Sequence, residues 1–145
     1  MGNRALAYAV KLLTRREYAR EELIHKLTGR GFSSTEVVRV LQLLIDKGWQ
    51  SDSRFISEYV RMRVAKGFGP LRISAELKAK GIDPQLVAET FQADIIDWVD
   101  LASRVLDKKN RCSPGELTKK QQFEFLLYRG FAVEQINKIF KYEKN

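Results

Sequence analysis

The chain is poor in the side chains that most chemistry needs: among 145 residues there is one cysteine and one histidine. With Cys112 alone, neither an intrachain disulfide nor a thiolate metal cage can form. It sits in the polar stretch Asn110-Arg111-Cys112-Ser113-Pro114-Gly115 and reads as an incidental loop cysteine. With His25 alone, no histidine-based triad, metal pair or HExxH motif can be assembled, and His25 reads as an ordinary helix residue. No phosphate-binding P-loop, dinucleotide fingerprint or GxSxG elbow is present. Asp94, Asp97 and Asp100 recur at helical spacing, which points to an exposed acidic stripe rather than a metal site. Glu21 and Glu22 are adjacent, so a helix points them in different directions and they make no acid/base pair. The expectation is a protein with no catalytic group, metal or cofactor. No apolar run approaches the ~20 residues that a membrane helix needs. The segment from Met1 to Leu13 has no signal-peptide core or cleavage site, so the expected location is cytoplasmic. No coiled-coil heptad suggests an oligomer, and a monomer is expected.

A repeat is the strongest positive signal. Gly31, Gly81 and Gly130 each follow a leucine by four positions (Leu27, Leu77, Leu126) and a base by one (Arg30, Lys80, Arg129). Each precedes a large apolar residue by one (Phe32, Ile82, Phe131), another by six (Val37, Val87, Ile136) and a third by ten (Leu41, Phe91, Phe140). The pattern is a helix, a glycine stop and a second helix. Capping signals bracket these helices: Thr14 with Glu17, Ser33 with Glu36, Thr118 with Gln121, Asp52, and Asp83 before Pro84, while Gly69-Pro70 opens the middle copy. Another helix precedes each pair. The resulting fold class is all-α, with three tandem three-helix repeats in an elongated, curved array. The expected repeats are 1–50, 51–93 and 94–145. Their helices are predicted at 4–13, 15–29 and 34–47, at 53–66, 70–80 and 84–92, and at 94–109, 118–129 and 132–143. A loop near 110–117 shifts the register of the third copy.

The formal net charge is +8, distributed as +4, +2 and +2 over the three repeats. Positive charge spread along a chain suits nucleic acid or an acidic protein surface, although solubility alone also asks for some excess. The middle repeat concentrates Arg61, Arg63, Lys66, Arg72, Lys78 and Lys80 within twenty residues, with Glu76 the only acid among them. Phe68 stands in the turn Lys66-Gly67-Phe68-Gly69-Pro70, where it either plugs the core or joins the basic surface. These six cations are the candidate partner-binding residues, with Arg15, Arg16 and Arg20 as secondary candidates in the first repeat.

The same residues carry a family resemblance. Ser51-Asp52-Ser53-Arg54-Phe55, continuing through Lys66-Gly67-Phe68-Gly69-Pro70 to Ile73, Leu77 and Lys80-Gly81-Ile82, closely resembles the bacterial RecX family. Phe125-Leu126-Leu127-Tyr128-Arg129-Gly130-Phe131, Asp97-Trp98 with Leu101-Ala102, and the first-repeat Glu22-Leu23, Lys26-Leu27 and Gly31-Phe32 are similar to it too. Ser51 stands where an acidic residue is common in that family, which bears on a helix cap. The resemblance implies binding to the RecA recombinase, in particular to its filament on single-stranded DNA. The implied outcome is inhibition: less ATPase, strand exchange and co-protease action, and a filament that stops growing or falls apart. The alternative is a stand-alone helix-turn-helix-like DNA-binding protein. Against it, the third helices, such as Asp83 to Phe91, are poor in base-reading side chains, so only weak non-specific DNA binding is expected.

Overall fold

In a computed structural model of the chain, residues 3–143 are described. Residues 1–2 and 144–145, the outer ends of the first and third expected repeats, lie outside the described residues. The described residues form helices and connecting turns without strands. The helices are α1 (Asn3–Leu13), α2 (Arg20–Gly29), α3 (Ser34–Asp46), α4 (Asp52–Ala65), α5 (Pro70–Ala79), α6 (Pro84–Ala93), α7 (Trp98–Cys112), α8 (Lys119–Arg129) and α9 (Val133–Glu143). The chain divides into two compact units, residues 1–58 with 77–90 and residues 59–76 with 91–145.

In the first unit, α1, α2 and α3 pack pairwise. Their apolar residues recur at helical spacing, Ala5, Ala9 and Leu12 on α1 and Val37, Val40, Leu41 and Leu44 on α3, so each helix buries one stripe. Leu23, Leu27 and Tyr18 complete that core. The buried Gln50 is satisfied: its side-chain amide donates to the Tyr18 carbonyl at 3.2 Å and to Asp52 Oδ1 at 2.9 Å. In the second unit, α7, α8 and α9 pack pairwise around Leu101, Ala102, Leu106, Leu126, Phe131, Ile136 and Ile139. Val64 of α4 packs on the same cluster.

The repeat columns have a common physical cause. At each repeat glycine the chain makes a Schellman motif. The residue after the glycine donates its N–H to the carbonyl of the repeat leucine: Phe32 to Leu27 at 3.3 Å, Ile82 to Leu77 at 3.2 Å and Phe131 to Leu126 at 3.1 Å. The three glycines have φ of +91°, +82° and +98°, in the left-handed region. The leucine is therefore the third residue from the helix end, and the motif turns it inward; all three leucines are fully buried. The same bond pattern recurs at Gly48-Trp49 and Gly67-Phe68.

The structure moves three helix starts. Thr14 with Glu17 does not open α2. Thr14 Oγ1 donates to the Lys11 carbonyl at 2.7 Å and so finishes α1. Glu17 pairs with Arg54 at 2.6 Å, and α2 begins at Arg20. There the Glu22 carboxylate accepts from the Ala19 N–H at 2.9 Å, half of a capping box. Asp52 does not cap its own helix: Ser51 Oγ accepts from Arg54 N at 3.2 Å, while Asp52 Oδ1 accepts from Arg20 N at 2.8 Å, capping α2 instead. Finally, α7 starts at Trp98 rather than 94, with Asp97 as its N-cap accepting from Asp100 N at 2.9 Å. The acidic stripe therefore dissolves. Asp94 precedes the helix, Asp97 caps it, and Asp100 pairs with Arg104 at 3.0 Å. The remaining caps form where expected, although Ser33 with Glu36 makes one half of the expected box. Ser33 accepts from Glu36 N, Asp83 from Gln85 N, and Thr118 with Gln121 closes both halves of its box.

Candidate partner-binding surface

In the second unit the turn from α4 to α5 settles Phe68. Its ring is half-buried, and three guanidinium groups surround it, Arg63 at 3.9 Å, Arg72 at 4.5 Å and Arg129 at 4.9 Å from the centroid. The ring is thus neither simple core nor open surface; it is the platform on which arginines from α4, α5 and α8 converge. Backbone contacts hold the platform in place. Gly69 N donates to the Arg129 carbonyl at 2.8 Å and Leu71 N to the Gly130 carbonyl at 2.9 Å, so the turn caps the end of α8. A side chain at Gly69 would overlap the Gly130 carbonyl carbon, 2.6 Å from an added Cβ. Arg129 Nη1 in turn donates to the Lys66 carbonyl at 2.9 Å, closing the end of α4.

One carboxylate serves this cluster. Glu76 accepts from Arg63 at both oxygens, 2.9 and 2.7 Å, from Tyr59 Oη at 2.9 Å and from Arg72 Nε at 3.4 Å. Burial alone would raise its pKa; the hydrogen bonds from Arg63, Tyr59 and Arg72 and the Arg63 charge outweigh that and hold it below the ordinary carboxylate value. Arg63 and Arg72 therefore share one anion, and their charges exceed what it neutralises.

The expected cluster of six cations is divided. Arg63 and Arg72 meet at Phe68 and Glu76. Lys66 is exposed on the same unit, and Arg61 is exposed on α4. Lys78 and Lys80 belong to the first unit. Lys78 is exposed, whereas Lys80 reaches Glu22 at 3.5 Å. Of the secondary candidates, Arg16 pairs with Glu22 at 3.4 Å and lies 3.7 Å over the Tyr18 ring, Arg20 pairs with Glu21 at 3.4 Å, and Arg15 is exposed. Burial would raise the Glu22 pKa, but the Ala19 N–H, Arg16 and Lys80 together hold it low.

Sequence reasoning missed Arg129 as a site residue, although it fills the basic column before the third repeat glycine. It also missed Arg54, which joins Glu17 to the carbonyls of Gly48 and Trp49, both at 3.0 Å. For Arg129 the column itself was the available signal. Among the described residues no group of three or more His, Cys, Asp or Glu side chains is arranged to hold a metal. No described helix is long and apolar enough to cross a membrane.

Comparison with known proteins gives this geometry a family context. Residues 5–44 match the family described as RecX, first three-helix domain, and residues 51–90 match RecX, second three-helix domain. The chain is 43% identical to the Regulatory protein RecX of Legionella pneumophila (strain Corby), over 98% of this chain and 96% of that protein. It is 39% identical to the Regulatory protein RecX of Chromohalobacter salexigens, over 88% and 85% respectively. The crystal structure of RecX from Lactobacillus salivarius shares the fold, with a TM-score of 0.85 at 23% identity, covering 97% of this chain and 94% of that one.

Proposed function

The chain belongs to the RecX family of regulatory proteins, and from that premise we propose that it regulates by binding the RecA recombinase, above all the RecA filament on single-stranded DNA, and inhibiting it. The observation that carries this reading is the match at 43% identity along nearly the whole chain to a protein named for regulation. The geometry supports a binding role through a cationic surface anchored on a rigid aromatic platform. Three tandem repeats, 1–50, 51–93 and 94–145, would each add modest contacts along a filament, and linkage converts modest contacts into avidity. A ligand that grips several protomers shifts the filament between states only by its difference in affinity for them.

Partner contact is assigned to Arg61, Arg63, Lys66, Arg72, Lys78 and Lys80, with Arg15, Arg16 and Arg20 as lesser contributors. Within that set the roles differ. Arg63 and Arg72 hold Phe68 and Glu76 and present residual charge from fixed positions, whereas Lys66, Lys78 and Arg15 are exposed and offer theirs outward. Weak, salt-sensitive DNA binding accompanies the positive charge. The test is addition of the purified chain to RecA assembled on single-stranded DNA. ATP hydrolysis and strand exchange should fall in proportion to the chain added, and a folded chain that leaves both unchanged overturns the reading.

A further inference from the structure

Beside the Phe68 platform, the second unit has a groove of about 430 Å³ between the end of α4, the length of α7 and one face of α8. That volume lies in the range of sites that take a ligand, roughly 300–1,000 Å³. Its floor is apolar, made by Val64, Leu101, Val105 and Phe125. Five further lining residues are cations, Lys66, Arg104, Lys108, Lys109 and Arg129, and no carboxylate lines it. Arg104 is engaged by Asp100, and Arg129 is fixed on the Lys66 carbonyl, so the outward charge comes from the exposed Lys66, Lys108 and Lys109.

We propose that this groove is a docking site for an acidic peptide segment of a partner protein, with an apolar side chain seated on Val64 and Val105 and flanking carboxylates on Lys66, Lys108 and Lys109. Apolar floor and cationic rim are both needed to explain the choice. A merely solvated charged face would not surround a concave apolar surface, and a purely apolar cleft would not carry five cations and no carboxylate in its lining. The chemistry also favours peptide over single-stranded nucleic acid. Stacking of bases needs an open aromatic face. The only ring in the groove, Phe125, already carries Lys109 and Arg129, each 5.3 Å from its centroid, and the rest of the floor is aliphatic. The inference goes beyond the RecA reading and is tested on the chain alone, so either can fail without the other.

Cys112 lines the groove, is exposed and is the chain's single thiol, which makes it a native reporter. The probe is a short synthetic peptide with a central Leu-Phe pair flanked by glutamates. Its binding is read by fluorescence anisotropy of the labelled peptide and by the alkylation rate of Cys112 with iodoacetamide. Bound peptide should slow alkylation, and added salt should weaken binding. Lys108→Glu with Lys109→Glu should weaken binding about tenfold or more, while Lys108→Arg with Lys109→Arg should retain it. Both positions are exposed, and circular dichroism checks that the variants fold. The proposal is overturned if the peptide neither binds nor protects Cys112. It is equally overturned if charge reversal leaves binding unchanged, or if an oligothymidine protects Cys112 while the peptide does not.

Discussion

Gly31 and Gly130 occupy the same position of the repeat, have nearly the same φ, +91° and +98°, and close the same Schellman motif, yet their surroundings differ completely. An added Cβ at Gly31 meets nothing within 4 Å. At Gly130 it would overlap the start of α5, 2.7 Å from Arg72 N. A local motif that only stops a helix at Gly31 has become a seat for another helix at Gly130. That seat brings Arg129 to Phe68 and lets the Gly67-Phe68-Gly69 turn bond to the end of α8. The basic platform is therefore built from backbone proximity as much as from charge.

The sharpest way to break the comparison is Gly130→Ala. Left-handed strain of about 1–2 kcal/mol adds to an overlap with backbone that cannot swing aside, so a loss of about 3 kcal/mol or more is expected in urea unfolding. Gly31→Ala, with the strain alone, should lose about 1 kcal/mol. Equal losses at the two sites would remove the seat from the account. Between these lies Glu76→Gln, which leaves Arg63 and Arg72 sharing no anion. A loss of about 2 kcal/mol is expected, because both guanidiniums are partly buried, with side-chain exposures of 14% and 31%.

The same variant sharpens the pH dependence. The folded pKa values of Glu76 and Glu22 lie below the ordinary 4.5. The unfolded chain therefore takes up their protons first as pH falls. Their contribution is complete above about 4.5 and is lost as pH drops through the folded values. Glu76→Gln should flatten part of that acid-side slope in pH-dependent unfolding; an unaltered slope would assign it to other groups. The smallest stability effect belongs to Lys66→Glu. Its side chain is exposed, so stability should stay within about 0.5 kcal/mol.

The helices were legible because their signals are local: apolar stripes at helical spacing, the glycine columns, and caps such as Ser33, Asp83 and Thr118. The start of α2 was misread, and the cap of α4 placed on Asp52 instead of Ser51, because Asp52 and Glu17 take partners from afar. Asp52 bonds to Arg20, thirty-two positions away, and Glu17 to Arg54, thirty-seven away, and no periodicity reports such pairs. The start of α7 was misread for a nearer reason: three aspartates at helical spacing mimic a helix, whereas the middle one is its cap. The site was half legible. Arg63, Phe68 and Arg72 are neighbours in sequence, but Arg129 joins them across more than fifty residues, and only its place in the repeat hinted at it. The sharing of Glu76 was also out of reach, since spacing alone does not distinguish a carboxylate that neutralises from one that is merely nearby.

The proposed engagement of the RecA filament rests on exposed cations carried by both units, among them Lys66 and Lys78. It is tested most directly by comparing the unaltered chain with a Lys66→Glu, Lys78→Glu variant in RecA ATP hydrolysis on single-stranded DNA. Both lysines are exposed, so the variant should unfold at the same urea concentration as the unaltered chain, yet inhibit RecA about tenfold more weakly. Undiminished inhibition by the folded variant would contradict the account.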